Sequence, residues 1–287
     1  MSKNCLDSKK KKNSASSAMQ RPLLVQSFPP EQHRRFLARW GPPAALLLLL
    51  LLIWQSVIMF GWVQNWLLPS PWQVITEGIE AWRSLGLPGH TWQTLQEALY
   101  GFLLAVGTGL TLALLVDSSA LLRRILYPLL VVSQTIPIIA IAPILVLWLG
   151  YGILPKVLVV ALVCFFPIVI STADGLRSTD PQWTALLRSM GANRWQILVK
   201  VRFPNALPAF FSGLKVAVTY SVIGAVIGEW VGGSIGLAFF MRRAHNSFRY
   251  GREFAGIAVT SLLSVALFLV IAGLERLALP WHFAGRE

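Results

Sequence analysis

Six long apolar blocks limit what this chain can fold into. They cover residues 44–63, 94–116, 125–149, 154–174, 209–230 and 254–274. Each reaches the roughly 20 residues that an α-helix needs to cross a bilayer core of about 30 Å. A backbone in lipid must satisfy its own hydrogen bonds, so blocks of this kind predict helices. The fold class that follows is an all-α membrane protein with about six transmembrane helices. Composition supports it: of 287 residues, 55% are hydrophobic and only 13% charged, against about 25% charged in a soluble domain. The first block is longer than a signal-peptide core of about 7–15 residues, and no small-residue cleavage site follows it.

The formal net charge is +13. A nucleic-acid protein would gather such charge on one basic face. Here residues 1–40 hold five Lys, four Arg and two acids, and the remaining cations are spread over short loops. That distribution fits a topology signal and an anionic lipid surface, and no nucleic-acid partner is expected. Residues 1–40 are expected to form a disordered, basic cytoplasmic tail, with the KKKK run at 9–12 as an orientation or lipid-contact signal. With the N-terminus inside, nineteen Lys and Arg fall on the cytoplasmic side and six outside, so both termini are expected to be cytoplasmic. The cluster MRRAHNSFRYGR at 241–252 runs against this rule. It is either a functional outer surface or a sign that the fifth span is misplaced. Cys5 and Cys164 suggest neither a disulfide framework nor a metal site.

Pro128, Pro137 and Pro143 interrupt the third block and Pro167 the fourth; such helices are expected to face protein rather than lipid. The outer loop 66–89 places Ile75, Ile79 and Trp82 at helical spacing beside Trp66 and Trp72, which predicts a helix on the membrane surface. Glu229 is read as the only acid inside a span, near its outer end. It belongs either to a translocation pathway or to an interfacial pair with Arg242 or Arg243. Gly224 and Gly228 allow close helix approach, and so do Gly107 and Gly109; packing within the chain is the favoured reading. Gln134, after Ser133 and before Thr135 and IPIIAIAP, is expected to line the pathway together with Pro137, unless it bonds a neighbouring carbonyl.

One segment does not suit lipid: STDPQWTALLRSMGANRWQILVKVRFPNALP, residues 178–208. Thr179 or Asp180 can cap a helix beginning at Pro181. Trp183, Leu186, Leu187 and Met190 share one apolar face. Gly191 stops or bends that helix, Trp195, Leu198 and Val199 form a second face, and Pro204 and Pro208 end it. Each half has about ten residues, or roughly 15 Å, too short to cross a bilayer. Two short amphipathic helices on the cytoplasmic side are expected. They either float on headgroups or dock a cytoplasmic protein.

This run resembles the cytoplasmic EAA loop of ABC importer permeases. The family pattern is E-A-A, three residues, Gly, nine residues, then I-x-L-P. Gly191 is in place, and Val201, Phe203 and Pro204 stand for I-x-L-P. Ala185, Leu186 and Leu187 occupy the E-A-A positions, so the acid is missing. The blocks LQEALYGFLLAVGTGLTLALL, SQTIPIIAIAPILVLWLGYG, DGLRSTDP, GEWVGGSIGLA and LERLALPW are similar to the subgroup importing sulfonates, taurine, nitrate and thiamine pyrimidine precursors. The hydroxymethylpyrimidine-type permeases are the nearest in kind.

The resemblance implies a type I ABC importer permease over 41–282, with a coupling loop at 178–208 and a short C-terminal tail at 283–287. It implies a coupling helix whose contact residues are Met190, Gly191, Ala192, Asn193 and Arg194. It also implies a homodimer in the bacterial inner membrane, two cytoplasmic ATPases that hold ATP and Mg, and an extracytoplasmic binding protein that Arg242 and Arg243 would guide. The chain carries no P-loop, no H-E-x-x-H and no G-x-S-x-G. It is therefore expected to bind no cofactor and to perform no chemistry, with ATP hydrolysis in another polypeptide. An ion-gradient transporter would instead predict acids near the midplane and inverted repeats.

Overall fold

The computed structural model describes residues 31–64 and 67–283, with side chains outside the description for 31–40 and Phe283. The expectations for residues 1–30, Trp66 and the last four residues lie outside the described residues. Contacts divide the chain into two units, 1–53 and 54–287. Among the described residues all regular structure is helical.

The helices follow in order. The apolar helix α1 runs Glu31–Met59 and is followed by α2, Pro71–Ser84, and the long α3, Leu87–Ser118. Next come α4, Ala120–Ser133, α5, Ile138–Leu149, and α6, Ile153–Arg177. Two short helices, α7 at Pro181–Ser189 and α8 at Arg194–Ile197, precede a π-helical turn, Leu198–Arg202, and α9, Phe203–Gly232. The chain closes with α10, Leu237–Asn246, α11, Tyr250–Ala278, and α12, Pro280–Phe283.

Among the described residues five helices are long and apolar enough to span, and α4 with α5, a pair bent by 94°, brings the number to six if the pair counts as one span. The bend falls where the sequence placed Pro137. Its ring removes an N–H and steers Ile136 out of the α region, so the chain turns through Gln134–Ile136 before α5 starts. Two boundaries differ from expectation. Helix α1 begins at Glu31, so the last ten residues of the basic stretch to 40 are helical rather than disordered. The fifth span does not start at 209: Arg194–Gly232 is continuous over 39 residues. Pro204 does not end the second short helix as predicted. It sits in the first turn of α9, where a missing N–H costs little. Just before it the Phe203 N–H reaches back five residues to the Leu198 carbonyl. Pro208 lies inside α9.

The core is where α3, α6 and α9 meet. Ala98, Phe102 and Ala105 face Val160, Cys164 and Ile168, and these face Ala217, Val218, Val222 and Ala225. Small residues bring the backbones together, which is how helices associate in lipid, where apolar burial gives little drive. A Cβ on Gly224 would stand 3.0 Å from the Val160 Cα, and one on Gly228 3.1 Å from the Lys156 Cα. The G-x-x-x-G pair therefore packs α9 on α6 within the chain. Gly109 meets Ile168 likewise, whereas a Cβ built on Gly107 would meet nothing within 4 Å.

Candidate functional site

The bundle of residues 54–287 has two chemically different ends. At one end lie α7 and α8, joined by Gly191 into an elbow whose shape is written locally. The Asp180 carboxylate accepts from the Gln182 N–H at 2.8 Å and Pro181 opens α7, so Asp180 rather than Thr179 is the cap. Gly191 takes φ +83°. Its N–H reaches the Arg188 carbonyl at 3.0 Å, and the Ala192 N–H reaches Leu187 at 2.9 Å. This paired closure of a helix needs a left-handed residue, which glycine supplies without a Cβ penalty. Asn193 and Gln196 then cap each other reciprocally at 2.8 and 2.9 Å, starting α8.

The elbow is exposed. No residue of α7 is buried; Trp183 is 60% exposed, Met190 73% and Trp195 69%. Ala185 and Leu186 are exposed, Leu187 half-buried, and Ala192 half-buried between exposed Gly191 and exposed Asn193 and Arg194. Pro204 stands at the base, in a groove of about 520 Å³ with Trp183, Lys200 and Trp281.

An ion cluster fastens this exposed elbow to the bundle. The Arg202 guanidinium grips Asp117 through both oxygens, at 2.6 and 2.7 Å, and donates to the Leu176 carbonyl at 3.0 Å. Arg123 adds a 3.0 Å contact to the same carboxylate. A two-pronged Arg–carboxylate bond fixes orientation as well as distance. It ties the end of α3, the end of α6 and the π-helical turn into one junction. Further along α9, Lys215 pairs with Glu275 at 2.8 Å, joining that helix to α11.

The opposite end is closed around buried charge. Glu97, fully buried on α3, accepts from the Lys156 ammonium at 2.7 Å and from Gln93 at 2.8 Å. Glu229, also fully buried, accepts from the Thr94 hydroxyl at 2.5 Å and from the Ala238 N–H at 2.7 Å. The Leu237 N–H donates to Thr94 at 2.9 Å. These bonds satisfy the open amides of α10, where a carboxylate also complements the helix dipole.

The sequence reading of Glu229 therefore changes. Its partners are Thr94 and α10 rather than Arg242 or Arg243, because the carboxylate is enclosed before either guanidinium can reach it. Nor is it the only acid in a span, since Glu97 lies inside one as well. The two arginines are not brought together. Arg242 donates to the Trp230 and Gly233 carbonyls at 2.7 and 3.0 Å and covers the Phe239 ring at 5.6 Å, while Arg243 lines a separate cavity with His90. Gln134 and Pro137 are exposed at the break between α4 and α5.

Sequence reasoning overlooked the Asp117–Arg202 and Glu97–Lys156 pairs. Their partners are 85 and 59 residues apart. The available signal was Glu97 inside an apolar block, since a buried acid demands a cation.

Similarities to known proteins bear on this architecture. The chain is 44% identical over 231 residues, 80% of its length and 91% of the relative's, to the formylaminopyrimidine transport permease protein ThiX of Halalkalibacterium halodurans. It is 31% identical, over 80% of its length and 83% of the relative's, to the putative aliphatic sulfonates transport permease protein SsuC of Bacillus subtilis. Among solved structures, an inward-facing MetNI methionine ABC transporter superposes with TM-score 0.55 at 18% identity, over 66% of this chain and 96% of that one, and so shares the fold. The family model for the binding-protein-dependent transport system inner membrane component matches residues 105–280, the span that contains the elbow, its Asp117–Arg202 anchor and the broken α4–α5 helix. The chain belongs to that family, as a multi-pass inner-membrane permease of an ABC importer.

Proposed function

We propose that the chain works as a homodimer with two cytoplasmic ATPase subunits, and that the elbow of α7 and α8 is the surface each ATPase grips. The observation that carries this reading is the exposed apolar set Trp183, Leu186, Met190 and Trp195 on a fastened mount. Loose exposed tryptophans would suit a lipid surface equally. A bidentate anchor beneath them suits a part that must transmit force. In this reading Ala185, Leu186, Leu187 and Met190 to Arg194 meet the ATPase, and both chain termini lie on its side of the membrane. The ATP cycle would tilt α6 and α9 through the junction at Asp117 and switch access between the two sides. Exposed Gln134 and Pro137, at the broken span, would line the pathway; Glu229 would position α10. The far end would receive a binding protein, steered by the summed charge of Arg83, Arg242, Arg243, Arg249 and Arg252.

For the cargo we favour a thiamine pyrimidine precursor, supported by the 44% relative. The second reading is an aliphatic sulfonate, with taurine or nitrate as related cargoes; it draws on the 31% relative. Ligand identification by mass spectrometry on the co-purified binding protein separates them. The coupling claim has its own test. A cysteine at Asn193 should cross-link to the ATPase in membranes and stay unlabelled by an impermeant maleimide added outside. Labelling from outside, or no ATPase adduct from any elbow position, would sink it.

A further inference from the structure

Two cavities away from the elbow lie beside α11, one at the C-terminal end of α2 and one along it. The first, of about 210 Å³, is basic: His90, Arg243, Ser247, Arg249 and Arg252 line it beside Leu85. The second, of about 270 Å³, is apolar, with Ile75, Ile79, Trp82, Ala255, Ala258 and Val259 in its wall. Arg252 and Ala255 are one turn apart on α11, and Leu85, the residue that follows the end of α2, lies three positions after Trp82. Residues so spaced share a helix face, so the two cavities follow one another along the α2–α11 crossing. Helix α11 runs from this end toward the elbow end, which puts Val259 roughly 10 Å deeper than Arg252.

The basic cavity has charge to spare. Arg252 faces Glu77 and Glu80 at 3.7 and 3.4 Å. Among the described residues, Arg243 and Arg249 make no ion pair. The turn between α10 and α11 brings them together. Phe248 is its pivot, a non-glycine residue at φ +55°, a region that bulky side chains rarely adopt. The Phe248 N–H closes on the His245 carbonyl and the Arg249 N–H on the Ala244 carbonyl, both at 2.9 Å. His90 is held too: its Nδ1 accepts the Gly236 N–H at 3.0 Å, which leaves Nε2 as a donor.

We propose that these cavities together hold one anionic phospholipid, with the phosphate on Arg243 and Arg249 and an acyl chain along the α2–α11 groove. Charge complementarity selects the headgroup, and the depth and apolar wall of the groove select a tail. A soluble anion or an acidic protein surface would use the arginines and leave the groove empty.

The full-length chain, stripped of lipid in detergent, is titrated with phosphatidylglycerol or phosphatidylcholine and read by native mass spectrometry. Phosphatidylglycerol should be retained in preference. The pair Arg243→Gln and Arg249→Gln should weaken its retention about thirtyfold, from about 1 kcal/mol per cation at an anionic headgroup. Ala258→Trp, which fills the groove and leaves the arginines alone, should weaken retention of both lipids and carries the test if the double variant does not fold. Millimolar inorganic phosphate should not displace bound phosphatidylglycerol. Equal retention of the two lipids, or retention indifferent to Ala258→Trp, overturns the proposal. Displacement by inorganic phosphate would reassign the cavity to a free anion. Loss of binding-protein capture with lipid retention intact would reassign it to docking.

Discussion

Trp183 and Glu229 stand at opposite ends of the bundle, and each breaks the usual rule for its residue type. Trp183 is apolar yet 60% exposed; Glu229 is an acid yet fully buried. At the elbow end, charge lies beneath the surface, in the Asp117–Arg202 junction, and apolar side chains project outward. At the far end, carboxylates are enclosed and bonded by Lys156, Thr94 and the amides of α10. The difference is one of completeness. Glu97 and Glu229 find partners within the chain, while the elbow leaves its apolar side chains uncovered by it.

The contrast can be broken most strongly at the far end. Replacing Glu97 by Ala strands the Lys156 ammonium in a buried site. Removing one partner of such a pair costs about 3–5 kcal/mol, so the unfolding midpoint in detergent should fall steeply, whereas Glu97→Leu with Lys156→Met should recover most of the loss. At the elbow the expected pattern is inverted. Trp183→Ala with Met190→Ala should shift stability by no more than about 0.5 kcal/mol yet weaken ATPase binding by about 2 kcal/mol or more, as loss of an interface anchor does; co-purification at graded salt and a thermal melt report the two effects separately. The smallest effect belongs to Gly191→Ala. Nothing lies within 4 Å of the added Cβ, so only the left-handed backbone opposes it, at about 1–2 kcal/mol. Cross-linking from position 193 should fall, with the bundle's own melting unchanged.

The sequence exposed these two ends unequally. The elbow was readable almost residue by residue, because caps, a left-handed glycine and an apolar face are local chemistry: Asp180, Gly191 and Trp183 sit where spacing put them. The break at Pro137 was readable for the same reason, since a missing N–H acts on its own turn. The far end was hidden. Thr94 and Glu229 are 135 positions apart, and no periodicity announces that a hydroxyl on one helix will meet a carboxylate on another. The proline rule also misled at Pro204. Pro204 falls after the π-helical turn, in the first turn of α9, where a missing donor costs little, so a helix expected to stop there continued.

That continuity has a mechanical result. Arg194–Gly232 forms one 39-residue helix, about 58 Å at 1.5 Å per residue. Its first turn lies in the elbow and its last carries Glu229 and, through it, the start of α10. Displacement applied at one tip has no loop in which to dissipate before reaching the other. Whatever seats itself against α8 is thus joined, by a single piece of secondary structure, to the face on the far side of the bilayer.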